Sequence, residues 1–169
     1  MTEQGDKGKT QVMENMIDSK DSIFVETIGS IDSFQASLGS ARVLVKNEDK
    51  VRILAIQNDL YEIMASWGAK EYRPWEDAEK RTSEIENEME EMKGRVKNLD
   101  GFLIPGENEV ETRINLCRTD CREVERRVVS LRNQRIDDQE KEFDEDILVY
   151  FNRLSSYLNV MWRNNLGVK

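Results

Sequence analysis

One stretch in the second half of this 169-residue chain constrains the fold more than any other. Val110, Ile114, Cys117, Cys121, Val124, Val128 and Leu131 follow one another at steps of four and three without a miss. That period places all seven on one face of a helix, and a strand would need alternation instead. Similar stripes recur elsewhere. Thr27, Ile31, Phe34, Leu38, Ala41 and Val45 predict a helix starting near Asp21. After a charged turn at Lys46–Lys50, Ile53, Ile56, Leu60, Ile63 and Trp67 predict a second, which Gly68 can end. Residues 69–81, with Pro74, read as a loop. Ser83 and Glu86 have the spacing of a capping box, ahead of Ile85, Met89, Met92, Val96 and Leu99 on a very acidic helix. The apolar segment Asp100–Gly106 is a break, residues 133–143 are a polar connection, and Ile147, Phe151, Leu154, Leu158 and Met161 mark a last helix. The reading is all-α: a five-helix antiparallel bundle over residues 21–169, preceded by a flexible arm over residues 1–20. Two prolines and nine glycines are too few for the turns of a β-sandwich.

Composition removes several chemistries. The chain has no His, so imidazole triads, imidazole zinc sites and the usual neutral-pH proton shuttle are absent. Cys117 and Cys121 share one helical face, and two thiols do not make a zinc site, so both read as reduced core residues. The net charge of −9 makes the chain a poor binder of nucleic acid or anionic membrane. No apolar run approaches a membrane span, and the N-terminus lacks the apolar core of a signal peptide, which points to a cytoplasmic protein.

Against that acidic background, five arginines fall within Arg118–Arg132. Arg118, Arg122 and Glu125 stand at i, i+4 and i+7 and line one ridge. A solvated face of i,i+4 pairs is the plain reading. The sharper one is a phosphate-binding ridge, because the guanidinium fork matches phosphate oxygens. Asp32 is a carboxylate beside the apolar stripe of the first helix, a position that calls for a partner. Gly5, Asp6, Lys7, Gly8 and Thr10 form a short Gly-rich segment that can wrap phosphates through backbone N–H groups, although it is no Walker loop. Lys20 sits just ahead of the first helix.

The order GDKG, SKD, GSID, FLIPG, CRTDCREVERRVV and FNRLSSYL resembles the ATP:cob(I)alamin adenosyltransferases of the propanediol-utilisation type over roughly residues 5–165. The resemblance implies transfer of the 5′-deoxyadenosyl group of ATP to cob(I)alamin, with ATP, Mg²⁺ and cobalamin bound between the subunits of a homotrimer. It implies that Gly5, Asp6, Lys7, Gly8, Thr10 and Lys20 close over the phosphates and that Asn152 touches the nucleotide. It implies catalytic roles for Arg118, Arg122 and Glu125, the last also near Mg²⁺. Asp32 would pair with Arg118 of the next subunit, and Phe102 would occupy the place of the corrinoid's lower ligand. A reductase and a B12-dependent enzyme are the protein partners it implies. The chain departs from the family pattern at Glu3-Gln4, at Lys9, at Glu14-Asn15-Met16-Ile17, at Ile31-Asp32-Ser33-Phe34-Gln35, where Asn115 replaces a His and where Glu123 replaces an Arg. These changes motivate an alternative reading, a non-catalytic relative that binds ATP or corrinoid as a carrier or regulator.

Overall fold

Ser22 opens the first helix by accepting the Val25 N–H at 3.2 Å, and from there α1 runs Ile23–Arg42. The structure is a computed structural model and describes residues 5–13, 16–68, 75–96, 101–137 and 143–166. Four more helices follow: α2 Asn47–Gly68, α3 Ala78–Lys93, α4 Glu109–Asp137 and α5 Glu145–Asn164. α4 packs between α1 and α5, α3 lies on α5, and α2 lies on α1. The periodic residues meet in one core. On α1, α2 and α5 all the predicted stripe positions are buried, and on α4 only Val110 is partly covered. Cys117 and Cys121 are buried free thiols, and burial pushes both thiol pKa values up, Cys117 to about 12.

Three boundaries differ from the sequence reading. The expected turn over residues 46–50 is already helix from Asn47, whose φ of 52° reverses the chain. Asn tolerates that left-handed backbone, and Glu48 and Asp49 then suit the positive end of a helix dipole. α3 starts inside the expected loop, because Ala78 and Thr82 extend the buried stripe of Ile85 upstream. Ser83 is therefore interior to α3, its hydroxyl donating to the Glu79 carbonyl at 3.0 Å, and it caps nothing. α4 continues through residues 133–137, part of the expected connection. Pro74, Leu99 and Asp100 lie outside the described residues, as do Glu3, Gln4, Glu14 and Asn15.

The N-terminal segment holds the structure that the sequence reading left out. Gly5–Lys7 is a short 3₁₀ turn, and β1 (Lys9–Met13) pairs antiparallel with β2 (Met16–Ser19), with Lys9 opposite Ser19 and a bulge between Gln11 and Met13. Gly8 sits at φ 72°, open to glycine without strain. The chain is thus mostly helical with a two-stranded hairpin, not purely helical. The hairpin escaped the sequence reading because its strands are four and five residues long and mostly exposed, so no alternating pattern is needed.

One buried charge pair fastens α2, α3 and α5. Arg81 forks onto both oxygens of Asp59 at 2.8 and 2.9 Å, and the Tyr150 hydroxyl donates to the same carboxylate at 2.7 Å. Burial raises the Asp59 pKa, and the Arg81 and Tyr150 hydrogen bonds oppose that rise. Removing one partner strands the other, so Arg81→Met is expected to cost about 3–5 kcal/mol in urea unfolding. An unchanged midpoint would mean that Asp59 stays neutral in the fold.

Candidate functional site

α4 carries its arginines on two different faces, and their partners separate them. Arg113 pairs with Glu109, Arg126 and Arg127 with Glu123, Arg127 also with Glu26 on α1, and Arg132 with Glu145. Arg118 and Arg122 pair with no carboxylate among the described residues. Both face a groove of about 840 Å³ between α3, α4 and α5, which Arg153, Ser155, Ser156 and Asn159 also line. In a chain of net charge −9, two guanidinium groups left unpaired at a groove mark a place for an anion.

Arg118 is held from its own protomer. Its Nε donates to Asn115 Oδ1 at 2.9 Å, and its guanidinium stands over the Trp162 ring at 5.6 Å. Arg163 stands over the same ring at 5.7 Å. Burial, then the nearby charges of Arg122 and Arg163, lower the Arg118 pKa, so an anion at this point relieves repulsion among three cations. Arg122 is exposed. Farther along the ridge, Asn152 on α5 donates to Glu125 at 3.0 Å and accepts from Arg153 at 2.9 Å. The structure therefore brings Arg118 and Arg122 to one groove and links Glu125 to Asn152.

It does not bring the N-terminal residues to them. Thr10 and Lys20 line a second groove, of about 530 Å³, on the α1 side of α4, with Gly29, Ser30, Asp120 and Glu123. The Lys20 ammonium donates to the Gly5 carbonyl at 2.8 Å and the Lys20 N–H to the Gly8 carbonyl at 2.9 Å, which closes the Gly5–Gly8 segment into a loop. Asp6, Lys7 and Gly8 are exposed there. Glu123, where the family pattern has an Arg, is neutralised: Arg126 and Arg127 hold its carboxyl below the usual carboxylate range.

Asp32 is exposed on α1 and has no ion pair or hydrogen bond among the described residues. Ile31 and Phe34 beside it take the buried positions, and the helix turns Asp32 outward. Phe102 is 96% exposed on the loop before α4, and Ile104 beside it is 79% exposed, so both present apolar surface to solvent.

Four contributors escaped the sequence reading: Asn115, Trp162, Arg163 and Glu111. Asn115 was legible as a departure from a pattern, not as the acceptor that orients Arg118. Trp162 follows the last stripe residue of α5, a signal that was available. Glu111 was also legible, because Asn108 and Glu111 have capping-box spacing: Asn108 Oδ1 accepts the Glu111 N–H at 2.9 Å and Glu111 accepts the Asn108 N–H at 3.4 Å.

Among the described residues, no group of three or more His, Cys, Asp or Glu could hold a metal ion. No described helix is long and apolar enough to cross a membrane.

Comparisons with known proteins place the chain in a family. The chain matches the cobalamin adenosyltransferase family over residues 1–165. It is 29% identical to the corrinoid adenosyltransferase of Bacillus subtilis over 92% of this chain and 80% of that one. It is also 29% identical to the corrinoid adenosyltransferase PduO of Citrobacter freundii, over 96% of this chain and 48% of that longer protein. In fold it resembles a variant PduO-type ATP:corrinoid adenosyltransferase from Lactobacillus reuteri, complexed with cobalamin and ATP. The TM-score is 0.81 at 22% identity, with 97% of this chain and 91% of that one covered. The chain belongs to the cobalamin adenosyltransferase family.

Proposed function

We propose that this protein transfers the 5′-deoxyadenosyl group of ATP to a cobalt(I) corrinoid, giving the adenosylated corrinoid and triphosphate. The observation that carries the reading is the unpaired Arg118–Arg122 ridge, in a chain whose other paired α4 arginines are neutralised. The cobalt(I) corrinoid is a substrate and is itself the nucleophile. Its electron pair forms the bond to C5′ of ATP, and the bond from C5′ to the triphosphate oxygen breaks, so triphosphate leaves with that pair. The protein needs no side-chain nucleophile, which suits a chain without His and with buried, protonated thiols. Its task is to align C5′ with cobalt and to stabilise charge on the leaving oxygens.

In this reading Arg122 takes the polyphosphate, and the loop closed by Lys20 covers it with the N–H groups of Gly5, Asp6, Lys7 and Gly8 and the hydroxyl of Thr10. Glu125 and Asn152, already bonded to each other, face the nucleotide. Mg²⁺ fits as an ion carried by the phosphates, with Glu125, on the same ridge as Arg118 and Arg122, the carboxylate that would meet it; such an ion keeps several waters and takes few protein ligands. It would neutralise phosphate charge. Phe102 offers the apolar surface against which the corrinoid's lower face packs.

The separation of the two grooves supports a homotrimer. In one protomer the Gly-rich loop lies on the α1 side of α4, and Arg118 and Arg122 lie on the α5 side. A site using both needs the loop of one subunit against the ridge of another. Asp32 and Arg118, each without a charged partner among the described residues, are then complementary across the interface. The free cysteines and the use of ATP suit the cytoplasm. A reductase that delivers cobalt(I) and an enzyme that consumes the product are the partners this chemistry requires.

The test is direct. Protein, ATP, Mg²⁺ and chemically reduced cobalamin are mixed, and the corrinoid spectrum is followed. The expected result is conversion to the alkylated species at a rate proportional to protein. Binding of both ligands without conversion would replace this reading with that of a carrier, which Glu123 in place of an Arg would favour.

A further inference from the structure

The loop that exposes Phe102 is clamped at both ends, and both clamps meet at one indole ring. At its start, Arg163 donates to the Gly101 carbonyl at 3.0 Å while standing over Trp162. At its end, Glu111 is fully buried, and one carboxylate oxygen accepts the N–H groups of Gly106 at 2.6 Å and Glu107 at 2.7 Å, and the Thr112 hydroxyl at 3.1 Å. The other oxygen accepts the Trp162 indole N–H. Gly101 and Gly106, at φ 99° and 117°, give the backbone the freedom to bend into both clamps. The same ring carries Arg118 on its face. A buried carboxylate taking this many donors is far more than a helix cap requires. Burial alone would raise its pKa, yet the Trp162, Gly106 and Glu107 donors hold it below the ordinary value of 4.5.

We infer that Glu111 is a positioning residue that fixes the Phe102 loop to Trp162 and so sets its distance from Arg118. This rests on the functional reading above, in which the loop meets the corrinoid and Arg118 meets the neighbouring subunit. Through Glu111, the surface that receives the corrinoid and the ridge beside the nucleotide share one rigid reference. Arg118 keeps its second hold on Asn115, so loss of Glu111 frees the loop and leaves the nucleotide ridge in place.

The test compares wild type with Glu111→Gln and with Trp162→Phe, using the full chain with ATP, Mg²⁺ and reduced cobalamin. Gln keeps the size and loses the charge; Phe keeps a ring and loses the donor. Both variants are expected to raise KM for cobalamin, Glu111→Gln by about tenfold or more, while KM for ATP stays within about twofold. Amide exchange at Gly106 and Glu107 should quicken by a similar factor in Glu111→Gln. A lower melting temperature with both KM values and loop exchange unchanged would overturn the inference and leave Glu111 a cap. If the wild type binds cobalamin without turnover, the functional reading fails alone, and the dissociation constant of cobalamin in wild type and variant then decides the role of Glu111. If the wild type binds no cobalamin, both fall.

Discussion

Arg122→Ala is expected to lose about 10²–10³-fold in turnover and to leave the melting temperature where it was. The loss follows from the place of the side chain. Arg122 is exposed at the groove and bonded to no carboxylate among the described residues, so none of them consumes its donors. Charge on the departing triphosphate rises as the bond to C5′ breaks, and a fixed cation beside it lowers the barrier more than it strengthens ground-state binding. Truncating an exposed side chain away from the core costs the fold under about 0.5 kcal/mol. Arg122→Lys keeps the charge and loses the fork, and should recover only part of the rate. Steady-state turnover by the corrinoid spectrum, with calorimetric melting alongside, measures both. Near-normal turnover of Arg122→Ala would remove the phosphate role.

Asp32→Arg should leave a folded protomer that no longer assembles. Asp32 is exposed on α1, so the substitution meets no packed neighbour within the chain. Across the proposed interface it sets two guanidinium groups against each other, one of them on the partly buried Arg118. Like charges facing each other in a desolvated contact cost several kcal/mol per interface, and a closed trimer repeats that cost in every interface. Sedimentation should show monomer, with helical content by circular dichroism unchanged. Adding Arg118→Asp restores opposite signs and should restore the trimer, though not the activity. A trimer that survives Asp32→Arg would end the pairing of these two residues.

The acid behaviour of Glu111 carries its own sign. Its pKa is lower in the fold than in the unfolded chain, so its contribution to stability is complete above the ordinary carboxylate value of 4.5. It fades as pH falls through the depressed folded value. The Glu111→Gln variant should therefore lose less stability than wild type over that acid range.

Much of this was readable along the chain, and the reason is periodicity. Ile31, Phe34 and Leu38, or Cys121, Val124 and Val128, face the core because a helix repeats every 3.6 residues and water excludes what it cannot hydrate. Helix ends were less legible. Ser83 looked like a cap and Asn108 is one, since both spacings occur and only the course of the chain selects between them. The hairpin at Lys9–Ser19 left no pattern, its strands being short and mostly exposed.

The sequence by itself determined five helices, their buried faces, the absence of imidazole chemistry and the arginine ridge, because each is a property of local spacing or composition. Only the tertiary structure decided which arginines are free. Arg126 and Arg118 look alike in the chain, yet one meets Glu123 and the other meets a ring from α5. Charge neutralisation depends on distances of a few ångströms between separate elements, and linear order does not encode those distances.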